Sequence, residues 1–322
     1  MTFGQILGHE RQKDILRRAL ASGRLAHAYL FEGPDGIGKR LMSLALVRAL
    51  FCLEGKGCGD CAACRKVDHN NHPDLHLLEP DGASIKIEQV RALQRELAFR
   101  PLEAPKKVCL IDGAEKMNPA AGNALLKTLE EPGGEALLIL LTANSDSVLP
   151  TIRSRCQRLP FAHLAREQLQ EVLREKLGLA EMEGHVLAAL SEGSFHKALG
   201  KDRDLYLEKR RDLLKAVTAL SAGSVLPLFE LTRQLTDEKD RLPEILEILQ
   251  AFYRDLLLYK QGGRESELVN LDLLEKIKRI AGKESPASLL RKLEFIGATR
   301  WQLERNVNRQ LAIDVLLLRL AA

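Results

Sequence analysis

Long hydrophobic runs are missing from this sequence. The longest apolar stretch, Ala136–Ala143, is far too short to cross a bilayer, which excludes a helical membrane span. The amino terminus, Met1 to His9, lacks a basic segment followed by an apolar one, so secretion is not expected and a cytoplasmic location is. Internal repeats and low-complexity tracts are also absent, which argues against a solenoid. A strong charge imbalance is missing too: the net charge is +4, a value that permits some contact with DNA without demanding it. What is present is a globular balance of 45% apolar and 29% charged residues in 322, enough for two or three domains with their own cores.

Up to about Phe161, short apolar runs alternate with amphipathic segments, the pattern of a parallel sheet flanked by helices. Strands are expected at Ala28–Glu32, Asp74–Glu79, Lys107–Asp112, Leu137–Thr142 and Gln157–Pro160. Helices are expected at Gln12–Ser22, Lys39–Phe51, Ile87–Ala98 and Ala120–Glu130, the last introduced by Pro119 and ended by Glu131-Pro132-Gly133-Gly134. Beyond Phe161 the strand-like runs vanish and helical periodicity continues, with breaks near Ala222, Gly262-Gly263 and Ser285-Pro286. The division expected is an α/β domain over 1–161, a small helical domain over 162–204 closed by Gly193–Leu199, and a larger helical domain over 205–322.

Gly33-Pro34-Asp35-Gly36-Ile37-Gly38-Lys39 joins the first strand to a helix. Glycines let backbone N–H groups turn inward around phosphate oxygens, and a lysine at the helix start adds charge where the dipole already favours anions. The spacing from Gly33 through Gly38 to Lys39 fits a Walker A phosphate loop. The next residue should carry a hydroxyl to hold magnesium, but it is Arg40, which has no acceptor lone pair. Lys107–Asp112 reads as the strand that ends in a magnesium-associated acid, Asp112. A glutamate that activates water usually follows; here Gly113 follows, and Glu115 lies two positions further on. With two parts of a phosphoryl-transfer machine gone, the loop reads as scaffold with weak nucleotide binding at most. No set of carboxylates suits two-metal nucleotidyl transfer.

Four of the six cysteines, Cys52, Cys58, Cys61 and Cys64, fall within thirteen residues. Crowded thiols in a chain without a secretion signal speak for metal rather than disulfides. Four soft ligands at short spacing suit a closed, structural zinc site, with an iron–sulfur cluster as the rival. His69, His72 and His76 follow but are not needed as ligands, and Cys109, inside an apolar strand, reads as a buried small hydrophobe. A zinc module reading DNA bases is disfavoured, because Arg65-Lys66 is brief and soon gives way to Asp68.

Thr151-Ile152-Arg153-Ser154-Arg155-Cys156 sits in a polar turn just before the last strand. Taken alone, its arginines are a solvated surface. Together with His27–Pro34, the cysteine module and Asn123–Pro132, however, this stretch resembles the bacterial DNA polymerase III clamp-loader subunits of the AAA+ class. The likeness extends more faintly to Leu303–Asn308 and Leu311-Ala312. The resemblance implies an AAA+ domain, a helical lid and a helical collar. It also implies a five-subunit ring with gamma/tau and delta subunits that places a sliding clamp on primed DNA. Arg155 would be a trans-acting finger into a neighbour's ATP site, while Asn144 and Lys197 would stand at the two sensor positions of this chain's own site. Arg40, Gly113 and Lys197, where an arginine is usual, depart from the ATP-hydrolysing motor type (gamma/tau) and favour the delta-prime type. The motor type remains the alternative, with Glu115 as base and Arg40 on phosphate.

Overall fold

The computed structural model describes residues 2–131, 135–191, 198, 204–221, 223, 225–237, 241–305 and 307–321. They fall into two compact units that part between Leu164 and Ala165.

The first unit is built on five parallel strands: β1 (Ala28–Glu32), β2 (Leu75–Leu78), β3 (Lys107–Asp112), β4 (Ala136–Thr142) and β5 (Gln157–Pro160), in the spatial order β2-β3-β4-β1-β5. Its helices are α1 (Glu10–Ala21), α2 (Lys39–Phe51), α3 (Ala62–Asp68), α4 (Ile87–Leu97), α5 (Pro119–Glu130) and α6 (Pro150–Arg153). The strands read as almost unbroken apolar runs because both faces are covered, as parallel sheets require. Tyr29, Phe31, Val108, Leu110 and Ile139 pack on one face with Leu16, Met42 and Leu46 of α1 and α2. Ala28, Leu30, Cys109, Ile111 and Leu140 pack on the other with Val90, Leu93, Leu125 and Leu129 of α4 and α5. This is the α/β sheet expected of the AAA+ class. Cys109 is fully buried, as its strand position suggested, and burial pushes its thiol up.

Three expected strands match to the residue, and α2 does as well. Two short helices were not foreseen: α3, inside the cysteine module, and α6, whose single turn begins at Pro150. Both lie in polar, cysteine- or proline-marked stretches too short to show a 3.6-residue period.

The second unit is helical: α7 (Arg166–Leu177), α8 (Glu181–Leu190), α9 (Arg210–Ala219), α10 (Val225–Asp237), α11 (Leu242–Lys260), α12 (Leu274–Lys283), α13 (Pro286–Glu304) and α14 (Arg309–Ala321). Helix α11 packs on α12 and α13, and α10 on α14. A buried polar knot sits among these helices. The Arg210 guanidinium donates to Asp272 at 2.6 Å and to the Asn270 side chain, while Asp255 accepts from the N–H groups of Val269 and Asn270 at 3.0 and 2.7 Å. Among the described residues no helix is long and apolar enough to cross a membrane. Most of Gly193–Leu199, Lys197 included, lies outside the described residues.

Candidate functional site

Parallel strands direct their carboxyl ends to one edge of the sheet, where α/β folds place ligands. The Gly33–Lys39 turn leaves β1 at that edge and opens α2 with Gly38 as N-cap. Gly33 has φ +147°, its N–H donates to the Thr142 carbonyl (3.2 Å), and a Cβ there would lie 2.2 Å from the Phe161 carbonyl oxygen. No other residue fits that approach, so the turn is held against the sheet by glycine at its first position.

The β2–β3 register pairs Leu78 with Ile111, so the next residues, Glu79 just past β2 and Asp112 at the end of β3, come side by side at this edge. Two neighbouring carboxylates call for a cation between them. In this chain that cation is Arg40. Its Nη1 donates to Glu79 Oε1 and, at 3.0 Å, to Asp112 Oδ2. Lys39 Nζ does not project outward either. It donates to the carbonyls of Gly33 and Pro34, the latter at 2.6 Å, and burial pulls its pKa down despite Asp35, Glu115 and Asp112 nearby. Magnesium therefore does not fit as the sheet stands: the acid that would hold it is already paired with a guanidinium, and no hydroxyl follows Lys39.

Lys39, Arg40, Glu79, Asp112, Gly113, Glu115 and Lys116 line a cavity of about 420 Å³. Of the residues expected at a nucleotide site, the fold thus brings Lys39, Arg40 and Asp112 together, with Gly33, Gly36 and Gly38 in the adjoining loop. Asn144 does not line it; its side-chain oxygen accepts from the Asp146 N–H (3.1 Å) and caps a short turn. Glu79 was missed by motif reading, although a strand-ending acid beside Asp112 is visible once β2 and β3 are paired. A larger cavity elsewhere, of about 690 Å³, carries no comparable set of charges: Phe3, Leu20, Ala49 and Leu50 line it, with Arg17 and Lys56 its charged residues.

Arg155 follows α6. It is partly exposed, and its guanidinium is oriented by Glu130, with Nη2 2.6 Å from Oε1, and by the Thr151 carbonyl, which accepts from Nη1 at 3.0 Å. Glu130 ends α5, and the Leu129-Glu130-Glu131 stretch was the signal available for it.

The cysteine module lies between α2 and the end of α3. The sulfurs of Cys52, Cys58, Cys61 and Cys64 all lie within 4.8 Å of one another, with Cys58 and Cys64 at 4.0 Å. A tetrahedral zinc with sulfurs about 2.3 Å away needs them roughly 3.8 Å apart, so the four residues fit a structural metal ion. Among the described residues no histidine joins the group. Burial opposes ionisation of Cys52, but the N–H groups of Cys58, Glu54 and Lys56 outweigh it and hold the thiol down to about 6. Burial, opposed by the Gly59 N–H and by Arg48, pushes Cys64 up to about 12. A bound cation is what would let all four ionise together. Beneath the module Arg48 is 3% exposed, with Nη1 3.2 Å from Asp68 Oδ1 but outside hydrogen-bond geometry.

The family described as "DNA polymerase III, delta subunit" matches residues 8–165, and "DNA polymerase III, delta subunit, C terminal" matches 205–322. The delta' subunit of DNA polymerase III from Bacillus subtilis is 35% identical over 96% of this chain and 95% of its own length. The Pseudomonas aeruginosa delta' subunit is 32% identical over 92% of each chain. The tau subunit from Bacillus subtilis is 27% identical over 99% of this chain but only 61% of its own. With a sheet that carries an altered phosphate loop, and with full-length likeness to two delta' subunits, the chain belongs to the delta' family of DNA polymerase III subunits.

Proposed function

We propose that this chain is a noncatalytic, delta-prime-type member of a five-subunit clamp-loading ring with gamma/tau and delta subunits. In that ring it completes a neighbour's ATP site with Arg155, while its own cleft hydrolyses little or no ATP. The ring would open the sliding clamp and set it on primed DNA in the cytoplasm. Residues 162–204 would serve as lid and 205–322 as collar, and the cysteine module would hold structural zinc.

The observation that carries this reading is the contrast between two arginines. Arg40 is turned onto this chain's own acids, Glu79 and Asp112. Arg155 stands partly exposed and preset by Glu130 and the Thr151 carbonyl. A guanidinium stays charged and donates in a fixed fork, which suits charge developing on a transferring phosphoryl group; such fingers contribute about 10³–10⁵ in rate. The test is DNA-stimulated ATP hydrolysis by rings reconstituted with wild-type or Arg155→Ala chain. Loss of hydrolysis at the adjoining site is expected. An unchanged rate, together with hydrolysis by the isolated chain, would establish the motor reading instead.

A further inference from the structure

We propose that Arg40 is a built-in replacement for the divalent cation of this cleft, so that the chain excludes magnesium by occupying its place rather than by lacking acids to bind it. This rests on reading the cleft as a nucleotide site that has lost hydrolysis, and it assigns that loss to a particular residue.

The acids of a cation site are still present. Glu79 and Asp112 leave adjacent strands together, and Glu115 lines the same cavity, with its buried Oε2 lacking a hydrogen-bond partner. Three carboxylates at one edge of a sheet would repel one another without a positive charge among them. Arg40, the second residue of α2, reaches two of them from a single nitrogen. Both acids hold Arg40 firmly charged, their hydrogen bonds outweighing the partial burial of its guanidinium. The position is the one from which a hydroxyl in a phosphate loop would reach the metal. A side chain that is permanently cationic therefore stands where an exchangeable cation otherwise would, and its charge cannot be removed by chelators or dilution.

The consequence is specific. Removing the charge at this position, rather than adding ligands, is what opens the cleft to a divalent ion. Arg40→Ser empties the space between Glu79 and Asp112 and supplies a hydroxyl after Lys39; Arg40→Gln keeps most of the bulk and removes the charge; Arg40→Lys keeps a charge. Arg40 is partly exposed and its partners face the cavity, so the three variants are expected to fold, which far-ultraviolet circular dichroism on each would establish first.

Binding of Mn²⁺ alone, and of ATP with either Mg²⁺ or EDTA, is then measured by calorimetry on the full-length chains. Arg40→Ser and Arg40→Gln are expected to bind Mn²⁺ at least tenfold more tightly than the wild type and Arg40→Lys. Arg40→Ser should in addition bind ATP more tightly with Mg²⁺ than with EDTA, while the wild type shows no such dependence. Equal Mn²⁺ binding by the wild type and both neutral variants would overturn the proposal, as would no Mn²⁺ binding by either neutral variant. These outcomes are independent of the Arg155→Ala result in the ring: a gain of Mn²⁺ binding with an unaffected Arg155→Ala ring would uphold the cation replacement and sink the trans-acting finger.

Discussion

Glu130 Oε1 lies 2.6 Å from Arg155 Nη2 and 3.0 Å from its Nε, so one carboxylate of α5 orients the guanidinium that follows α6. Both partners are partly solvent-exposed, and such a pair contributes about 0.2–1 kcal/mol to stability. Its value would lie in direction rather than in holding the fold. Glu130→Ala is expected to leave the unfolding midpoint nearly unchanged while lowering ring ATP hydrolysis several-fold, less than Arg155→Ala does. The double variant should match Arg155→Ala alone, since a residue that only aims another has nothing left to aim. Additive losses would show that Glu130 acts separately.

The cysteine module predicts a metal content. Elemental analysis of the purified chain should find about one zinc per chain, and Cys61→Ser should lose most of it. Arg48, buried under the module, is expected to offset the net negative charge that four thiolates leave around a divalent ion. Arg48→Met should therefore release zinc to a chromogenic chelator faster than the wild type, with the four cysteines intact. Unchanged release would assign Arg48 to packing alone.

A different kind of dependence follows from Asp74. This buried carboxylate accepts from the N–H groups of Leu102, Glu103 and Ala104, each at 2.8 Å. Burial acts to raise its pKa, but the three donors outweigh it and hold it below the ordinary carboxylate range. A depressed folded value means that the stabilisation is complete above the unfolded value, about 3.9, and is lost as pH falls through the folded one. Asp74→Asn should cost about 2–3 kcal/mol near neutrality, read from urea unfolding, and the gap to wild type should narrow below pH 4.

Restoring the missing acid at 113 should not restore an enzyme. Gly113 has φ +78°, and a Cβ there would sit 3.4 Å from both Pro80 Cγ and Lys116 Cδ. Gly113→Glu is expected to lose about 1–2 kcal/mol from left-handed backbone strain and to leave ATP hydrolysis by the isolated chain at background. Measurable hydrolysis from that single change would mean that Arg40 does not block the cleft.

Much of this site could be read from residues in sequence because its chemistry is local. The loop from Gly33 to Lys39, the substitution at Arg40 and the four cysteines each announce themselves within a dozen positions. What could not be read is what depends on strand pairing. Glu79 stands well apart from Asp112 in sequence, and only the Leu78–Ile111 register makes them neighbours. The same holds for Arg210, whose partners Asn270 and Asp272 lie on the far side of two helices. Motifs record what one segment does to a ligand; long-range pairs between charges leave no periodic trace.

The order of the sheet has a bearing on how the chain is made. Strand β1 lies between β4 and β5, pairing Ala28 with Leu138 and Tyr29 with Gln157, so both of its neighbours are synthesised long after it. Until they emerge, its apolar residues and both rows of backbone hydrogen-bonding groups have no place in the sheet. Contacts this remote in sequence form slowly, and an unpaired strand is a site of association with other chains. A nascent chain cut short before Pro160 would lack part of the central pairing however well its phosphate loop and cysteine module had formed. Ribosome stalling in the first half of the message would therefore yield aggregation-prone fragments rather than a smaller working domain.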